Sequence, residues 1–263
     1  MKRNVIILGG KGQLGQSFHS LINSNDVYKF NFVFLSSKEA NITNLLLLED
    51  IFIKYQPKYI INCAAYTQVD LAEDFKEEAY NINTIGTKNV GVLSKKYNSI
   101  IIHISTDFVF QGNKTNLLKE EDQCNPINYY GLSKLQGEQE IQKINEEHFI
   151  IRTSWLYSEF GNNFVKTMLR LGDERPSLIV VNDQIGSPTY AVDLAGFIIS
   201  IIENSSQKYG VYHYSNEGVS SWYDFTKAIF EYTNNSIEVN PVASTEFKTK
   251  AKRPSFSVLD KTK

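Results

Sequence analysis

Tyr130 and Lys134, in the run Asn128-Tyr129-Tyr130-Gly131-Leu132-Ser133-Lys134, set a phenol and an ammonium one helical turn apart. Residues four apart share a helix face, so Lys134 can lie beside the Tyr130 hydroxyl, favour its phenolate form and lower its pKa from about 10. A phenol poised in that way gives a proton to a carbonyl or takes one from an alcohol. Spacing alone also fits an ordinary packed helix surface, so the rest of the chain has to decide. Upstream, Ser105-Thr106-Asp107 follows an apolar run. There the Thr106 hydroxyl can meet a substrate oxygen or simply cap the turn after a strand.

The deciding segment is Gly9-Gly10-Lys11-Gly12-Gln13-Leu14-Gly15, between an apolar strand and a helix. It fits a GxGxxG frame through Gly10, Gly12 and Gly15, and a GxxGxxG frame through Gly9, Gly12 and Gly15. Glycines permit the tight turn and let backbone amides approach a pyrophosphate, which rests on the positive end of the helix dipole. A dinucleotide cofactor is therefore expected. The second strand ends in Leu35-Ser36-Ser37-Lys38 rather than in an acid that would repel a 2′-phosphate. With Lys11 in the loop this favours NADPH, NADH remaining open because Glu39 is close by and Lys38 can equally be a solvated surface charge.

The elements that must position these groups alternate. Val5-Leu8, Phe32-Leu35, Tyr59-Asn62, Ile100-Ile104 and Phe149-Arg152 read as strands. Helices are expected at Gln13-Ser24, Leu45-Tyr55, Glu73-Tyr97 and 130–144. That pattern predicts an α/β fold, a Rossmann-type doubly wound parallel sheet covered on both faces. Ligands then bind at the carboxyl ends of the strands, where Thr106 lies. His103, inside an apolar strand, reads as a core histidine. Residues 1–155 form the expected dinucleotide-binding domain. Residues 156–263 form mainly a smaller substrate-binding lobe, with elements near 178–203 packing back on the first domain. Strands are expected there at Leu178-Val181 and Val211-Tyr214, and helices at Val192-Glu203 and Trp222-Tyr232. The chain runs out at Leu259-Asp260-Lys261-Thr262-Lys263 with no last packed element expected.

Bulk properties exclude several classes. Of 263 residues, 42% are hydrophobic, enough for a large core, and 27 basic against 29 acidic residues give a formal charge of -2. No basic face is concentrated enough for nucleic acid or an anionic membrane. The N-terminus lacks a signal-peptide pattern and apolar runs such as Leu45-Leu46-Leu47-Leu48 are too short to span a bilayer. Cys63 and Cys124 make neither a disulfide framework nor a metal cluster. A cytoplasmic protein is expected.

Taken in order, the glycine loop, Asn62-Cys63-Ala64-Ala65-Tyr66-Thr67, Ser105-Thr106-Asp107 and Tyr130-xxx-Lys134 resemble an extended short-chain dehydrogenase/reductase. Further motifs narrow the likeness: Gln68-Val69-Asp70-Leu71-Ala72-Glu73, Arg152-Thr153-Ser154-Trp155-Leu156-Tyr157, Asn182-Asp183-Gln184-Ile185-Gly186-Ser187-Pro188-Thr189 and Arg253-Pro254. Across nearly the whole chain the sequence is similar to the dTDP-4-dehydrorhamnose reductase family. The resemblance implies reduction of a dTDP-4-keto-6-deoxysugar at C4, dTDP-4-dehydro-L-rhamnose to dTDP-L-rhamnose, for surface polysaccharide. It implies Tyr130 as proton donor, Lys134 as holder of the nicotinamide ribose and depressor of the Tyr130 pKa, and Thr106 as orienter of the carbonyl. It implies a cofactor site at Gly9, Gly12, Gln13, Leu14, Gly15, Ser36, Asn41, Ile42, Ala64, Ala65, Tyr66 and Asn83, shared with Tyr130 and Lys134. Substrate contacts are implied at Val69, Thr106, Phe108, Trp155, Asn163 and Arg253. For Trp155 a core position after the fifth strand is the other option, and for Arg253 a surface salt bridge.

Departures temper the match. Phe108 stands where the family usually has a Tyr, which puts the sugar in doubt. The family's final C-terminal helix is missing after Leu259, so a homodimer is only one option for the assembly. No carboxylate cluster marks a metal site, and magnesium dependence is left open. A 4,6-dehydratase would want a second acid where Phe108 follows Asp107. An epimerase would keep its cofactor bound, and a non-catalytic, cofactor-binding regulatory subunit would have no need of Thr106, Tyr130 and Lys134.

Overall fold

The computed structural model describes residues 2–24, 28–113 and 115–263. β1 (Arg3–Leu8) carries Val5-Ile6-Ile7-Leu8, all fully buried, because the strand lies in the middle of a sheet covered on both faces. After it come α1 (Gln13–Asn23), β2 (Phe30–Leu35), α2 (Leu45–Tyr55) and β3 (Pro57–Asn62). α3 (Lys76–Tyr80), α4 (Thr87–Lys96), β4 (Ile100–Thr106), α5 (Tyr129–Ile144) and β5 (His148–Thr153) complete the first half. The main sheet has six parallel strands in the order β10-β5-β4-β3-β1-β2, β10 being Gly210–Tyr214. Chain direction around the sheet reverses between β1 and β3, and the crevice beyond their carboxyl ends is where such folds bind ligands.

One face of the sheet is packed by α1 and α7 (Ala191–Glu203) through Phe18, Leu194 and Ile198, the other by α2, α4 and α5 through Phe52, Val90 and Ile141. Between β5 and α7 lie β6 (Leu156–Tyr157), α6 (Phe164–Glu174), β7 (Ser177–Val181), β8 (Ile185–Gly186) and β9 (Thr189–Tyr190). After β10 come β11 (Ser220–Ser221), α8 (Trp222–Tyr232) and β12 (Glu238–Val242). α6, α8 and the parallel pair β7-β12 enclose a second core of Met168, Leu178, Val180, Ile229, Phe230 and Val239.

Four sequence expectations change. The single helix at 73–97 is a 3-10 turn at Leu71–Glu73, then α3, a π-helical segment Asn81–Gly86 and α4. The wide turn brings the Asn83 side chain inward, where it bonds both main-chain groups of Tyr66 and the Ser133 hydroxyl. The strand at 177–181 does not pack on the main sheet but pairs with β12, while α7 does pack there, against α1. Ser105 and Thr106 lie within β4 rather than after it, paired with Arg152 and Thr153. The C-terminal segment is packed: Val258 and Leu259 are buried, Leu259 bridges Leu118, and Asp260 N–H donates to the Leu118 carbonyl at 2.7 Å.

α5 is held against β4 and β5 by a buried ion pair. The Arg152 Nη2 lies 2.7 Å from Glu138 Oε2, and Nε donates to both carboxylate oxygens at 3.1 and 3.2 Å. Ser105 Oγ donates to the same carboxylate. Leaving one buried charge unpaired costs more than removing both, so Glu138→Leu alone is expected to lose about 3–5 kcal/mol. The double variant Glu138→Leu/Arg152→Met should recover most of that loss. Urea unfolding of the single and double variants is the check, and a double variant as unstable as the single one contradicts it.

Candidate active site

The first turn of α5 sets the position of Tyr130. Asn128 caps it, its Oδ1 accepting from Gly131 N at 2.8 Å while its Nδ2 donates to the Lys252 carbonyl. Gly131 is required: a Cβ there would lie 2.1 Å from the Phe108 carbonyl oxygen, so the helix rests directly on the chain leaving β4. Tyr130 is thereby brought to the Thr106 hydroxyl and, edge to face, to Phe108 at 5.7 Å between ring centres. The neighbouring Tyr129 points elsewhere, under the Lys76 ammonium, as a packing residue.

Tyr130, Lys134 and Glu138 occupy one face of α5, two turns long, looking onto β4. Lys134 is 2% exposed, and its Nζ donates to the Ile104 carbonyl at 2.6 Å and meets His103 Nε2 at 3.2 Å. Burial brings the Lys134 ammonium down to about 8, opposed by the Glu138 carboxylate. His103 is a core residue as expected, burial and the nearby Lys134 holding it neutral with a pKa well below the ordinary value.

The expected lowering of the Tyr130 pKa by Lys134 does not occur. Burial pushes the phenol up to about 12, the Asp107 carboxylate adds to the rise, and only the Thr106 hydroxyl pulls the other way. The Lys134 ammonium is turned toward the Ile104 carbonyl and His103. Tyr130 is thus a firmly protonated acid at neutral pH.

Thr106 both caps and faces the site. Its Oγ accepts from Phe108 N at 3.2 Å and donates to Asp107 Oδ1 at 3.1 Å. Asp107 is 2% exposed, its Oδ2 has no hydrogen-bond partner, and burial raises its pKa to about 6.

The glycine loop meets the requirements of a pyrophosphate cradle. A Cβ on Gly15 would lie 2.5 Å from the Gly9 carbonyl oxygen, so α1 starts hard against the loop. α1 has no side-chain cap and no acid in its first turn, which leaves its N-terminus suited to an anion. Gly9 and Gly12 form the turn, Leu14 is buried beneath it, and Gln13 Oε1 accepts from Asn163. At the end of β2, Ser36 N–H and Oγ–H both donate to the Glu39 carboxylate, at 2.9 and 2.5 Å, and that carboxylate is also drawn by Lys11. Asn41 accepts from Thr43 and shares a surface cavity with Ser37 and Asp74, while Ile42 is buried under Gly86. Ala64, Ala65 and Tyr66 leave β3 opposite the loop, locked by Asn83. Asn83 therefore shapes that turn with its side chain fully engaged.

The substrate-side residues divide. Asn163 caps α6, and its amide donates to Gln13, Ser158 and Phe160, which ties the start of that helix to the glycine loop. Val69 adjoins Asp70, which holds Arg253 in a two-pronged pair at 2.6 and 3.1 Å. The Arg253 guanidinium in turn keeps the Asp70 carboxyl below its usual range. Arg253 also lines a cavity of about 700 Å³ with Phe164, Met168, Trp222 and Phe247, so the salt bridge and the cavity position coexist. Trp155 is half-buried at φ +46°, a left-handed conformation that costs a bulky residue about 1–3 kcal/mol. It stacks on Trp222, ring centres 3.4 Å apart and planes 7° apart.

Sequence reasoning missed Trp222, Glu138 and the burial of Asp107. Glu138 was findable, since it continues the Tyr130, Lys134 spacing by one more turn. Trp222 gave only the capping signal Ser221-x-x-Asp224, which marks a helix start and no function. Among the described residues no group of His, Cys, Asp or Glu is arranged to hold a metal ion.

A doubly wound parallel sheet with a glycine loop after its first strand, and a Tyr and Lys four apart beside its fourth, defines the short-chain dehydrogenase/reductase class. Residues 2–263 match the family described as the RmlD substrate binding domain. The dTDP-4-dehydrorhamnose reductase of Aggregatibacter actinomycetemcomitans is 42% identical over 98% of this chain and 91% of its own length. The spore coat polysaccharide biosynthesis protein SpsK of Bacillus subtilis is 39% identical over 97% of this chain and 88% of its own. A crystal structure of dTDP-4-dehydrorhamnose reductase from Bacillus anthracis in complex with NADP aligns at a TM-score of 0.94 and 43% identity, covering 100% of this chain and 92% of that one. The chain belongs to the dTDP-4-dehydrorhamnose reductase family.

Asp107 gives a signed pH prediction. Its folded pKa, about 6, lies above the ordinary 3.8, so the folded chain binds the proton more tightly than the unfolded one. Stability is therefore lost as pH rises from about 4 to about 6, and the full penalty is present above that. Asp107→Asn is expected to stabilise the protein at pH 7 by on the order of 3 kcal/mol and to do far less near pH 4. Urea unfolding at the two pH values measures it, and an equal effect at both speaks against the buried charge.

Proposed function

We propose that this protein reduces the C4 ketone of a dTDP-4-keto-6-deoxysugar, converting dTDP-4-dehydro-L-rhamnose to dTDP-L-rhamnose, with NADPH as reductant. The observation that carries the reading is a protonated, buried Tyr130 beside Thr106 at the carboxyl end of β4, next to a glycine loop built for a pyrophosphate, in a chain of this family. The reduced nicotinamide dinucleotide supplies the hydride. Gly9, Gly12, Gln13, Leu14 and Gly15 would hold its pyrophosphate, and Lys134 would hold its ribose. Thr106 orients the ketone oxygen, and Tyr130 gives its proton to the alkoxide that develops at C4. A phenol pKa of about 12 keeps the proton on Tyr130 until that oxygen becomes basic enough to take it.

The nucleotide half of the substrate fits the second lobe. The 700 Å³ cavity offers an apolar lining with Arg175 and Arg253 at hand, matching a pyrimidine base with a diphosphate. Among the described residues no helix is long and apolar enough to cross a membrane. We place the reaction in the cytoplasm, where nucleotide sugars and NADPH are available.

Tyr130→Phe keeps the ring and removes the proton, so kcat is expected to fall about 10²- to 10⁴-fold while the NADPH dissociation constant barely moves. Stopped-flow oxidation of NADPH with a panel of freshly made dTDP-4-keto sugars provides both numbers. An unchanged rate in the variant removes Tyr130 from the mechanism. At the end of β2, the Glu39 carboxylate sits where a 2′-phosphate would feel it. Glu39→Gln should raise kcat/KM for NADPH relative to NADH by roughly threefold to tenfold, as one partly screened charge is removed. A ratio that does not shift places Glu39 away from the cofactor.

A further inference from the structure

Trp155 and Trp222 are the only tryptophans in the chain. Three features hold Trp155 in its left-handed conformation. Its carbonyl accepts from Thr189 N at 3.1 Å, its indole lies on Trp222, and Gly186 leaves room for the ring. Any Cβ at 186 would lie 2.6 Å from Trp155 Cε2. The last two are mechanically one unit. β8 pairs antiparallel with β11, Gly186 opposite Ser220 and Ile185 opposite Ser221, and Trp222 follows Ser221 directly. A capping box between Ser221 and Asp224 fixes the start of α8, so Trp222 has little freedom of its own.

Trp222 also faces the other way. Its ring lies 4.5 Å from that of Phe164, and both line the cavity that contains Arg175 and Arg253. Trp155 stands two residues past Thr153, the β5 residue paired with Thr106. One indole therefore borders the cavity, while the stacked one belongs to the segment that leaves β5 beside Thr106.

We propose that Trp222 is a positioning residue that couples the cavity to the reaction cluster: a nucleoside diphosphate seated against Trp222 fixes the stacked Trp155 indole against the sugar. Binding energy gained at the unreactive end of the substrate is then realised as rate at C4. The inference rests on the reading of this chain as a nucleotide-sugar reductase and adds the residue through which the two halves of the substrate communicate.

The test uses the NADPH-loaded enzyme and the variants Trp222→Leu and Trp222→Phe. Trp222→Leu is expected to lower kcat by roughly tenfold or more while the KM for the sugar nucleotide changes less than about threefold. Trp222→Phe, which preserves a stacking face, should restore most of kcat. Thymidine diphosphate alone should change the near-ultraviolet circular dichroism of the wild type, where the two indoles are stacked. That change should be absent in Trp222→Phe. An equal NADPH dissociation constant in all three proteins certifies folding, and if Trp222→Leu fails that control, Trp222→Met replaces it with the same expected fall in kcat and the same limit on KM. A variant whose KM rises with kcat unchanged would make Trp222 only a cavity wall and overturn the coupling. So would a wild-type dichroism signal indifferent to thymidine diphosphate. A wild type that turns over none of the dTDP-4-keto sugars overturns the reductase reading and this inference with it, whereas the preceding outcomes in an active enzyme overturn this inference alone.

Discussion

The seating of α5 on β4 is the constraint on which the rest depends. A helix can approach the chain leaving a strand this closely only where a side chain is missing, and Gly131 against the Phe108 carbonyl meets that condition. Once the first turn is fixed, helical geometry carries Tyr130, Lys134 and Glu138 down the same face. Each then meets a different level of β4: Thr106 at its end, Ile104 and His103 below, Ser105 with Arg152 beside it. The ion pair at the bottom and the close approach at the top act as two attachment points of a rigid rod. What lies between them is held in register without any contact of its own having to be strong.

The electrostatics of this rod follow from burial more than from pairing. Lys134 is lowered and Tyr130 raised, each by loss of water, and Asp107 beside them is raised as well. All three shifts favour the neutral form of the group. A site that resists charge in the resting protein stabilises charge only where something new arrives to make it, which for a ketone under hydride attack is the oxygen at C4.

Much of this was legible in the sequence, and the legible part follows a rule. Strands β1 to β5, helices α1, α2 and α5, and the glycine loop announce themselves by periodicity and by residue types with few other uses. The π-helical segment was not legible, because Asn81–Gly86 has the composition of ordinary helix and only the demand of Tyr66 and Ser133 for the Asn83 amide widens it. α6 was not legible although its start signal is present: Asn163 accepts from Lys166 N as the cap of that helix, but a single Asn marks a turn as readily as a helix start. The partner of β7 was illegible for a different reason, since parallel pairing with β12 joins segments some sixty residues apart, 177–181 with 238–242, and nothing local records it. The pKa of Tyr130 depended on where Lys134 would spend its donors. Spacing places the two residues on one face, but the Ile104 carbonyl and His103 decide the direction of the ammonium.

The packed C-terminal segment reaches back over the first half of the molecule. Ala251 N–H bonds Asp70, the Lys252 carbonyl receives the Asn128 amide, Val258 accepts from Leu118 N, and Leu259 closes on Leu118. Every one of these partners belongs to residues 70–128, made early in synthesis. During translation the cofactor crevice has all its strands once residue 153 has emerged, whereas the helix that carries the acid keeps one of its cap contacts open until residue 252. The enzyme is thus assembled in two stages separated by about a hundred residues of elongation, some 5–20 s at ordinary ribosome speed.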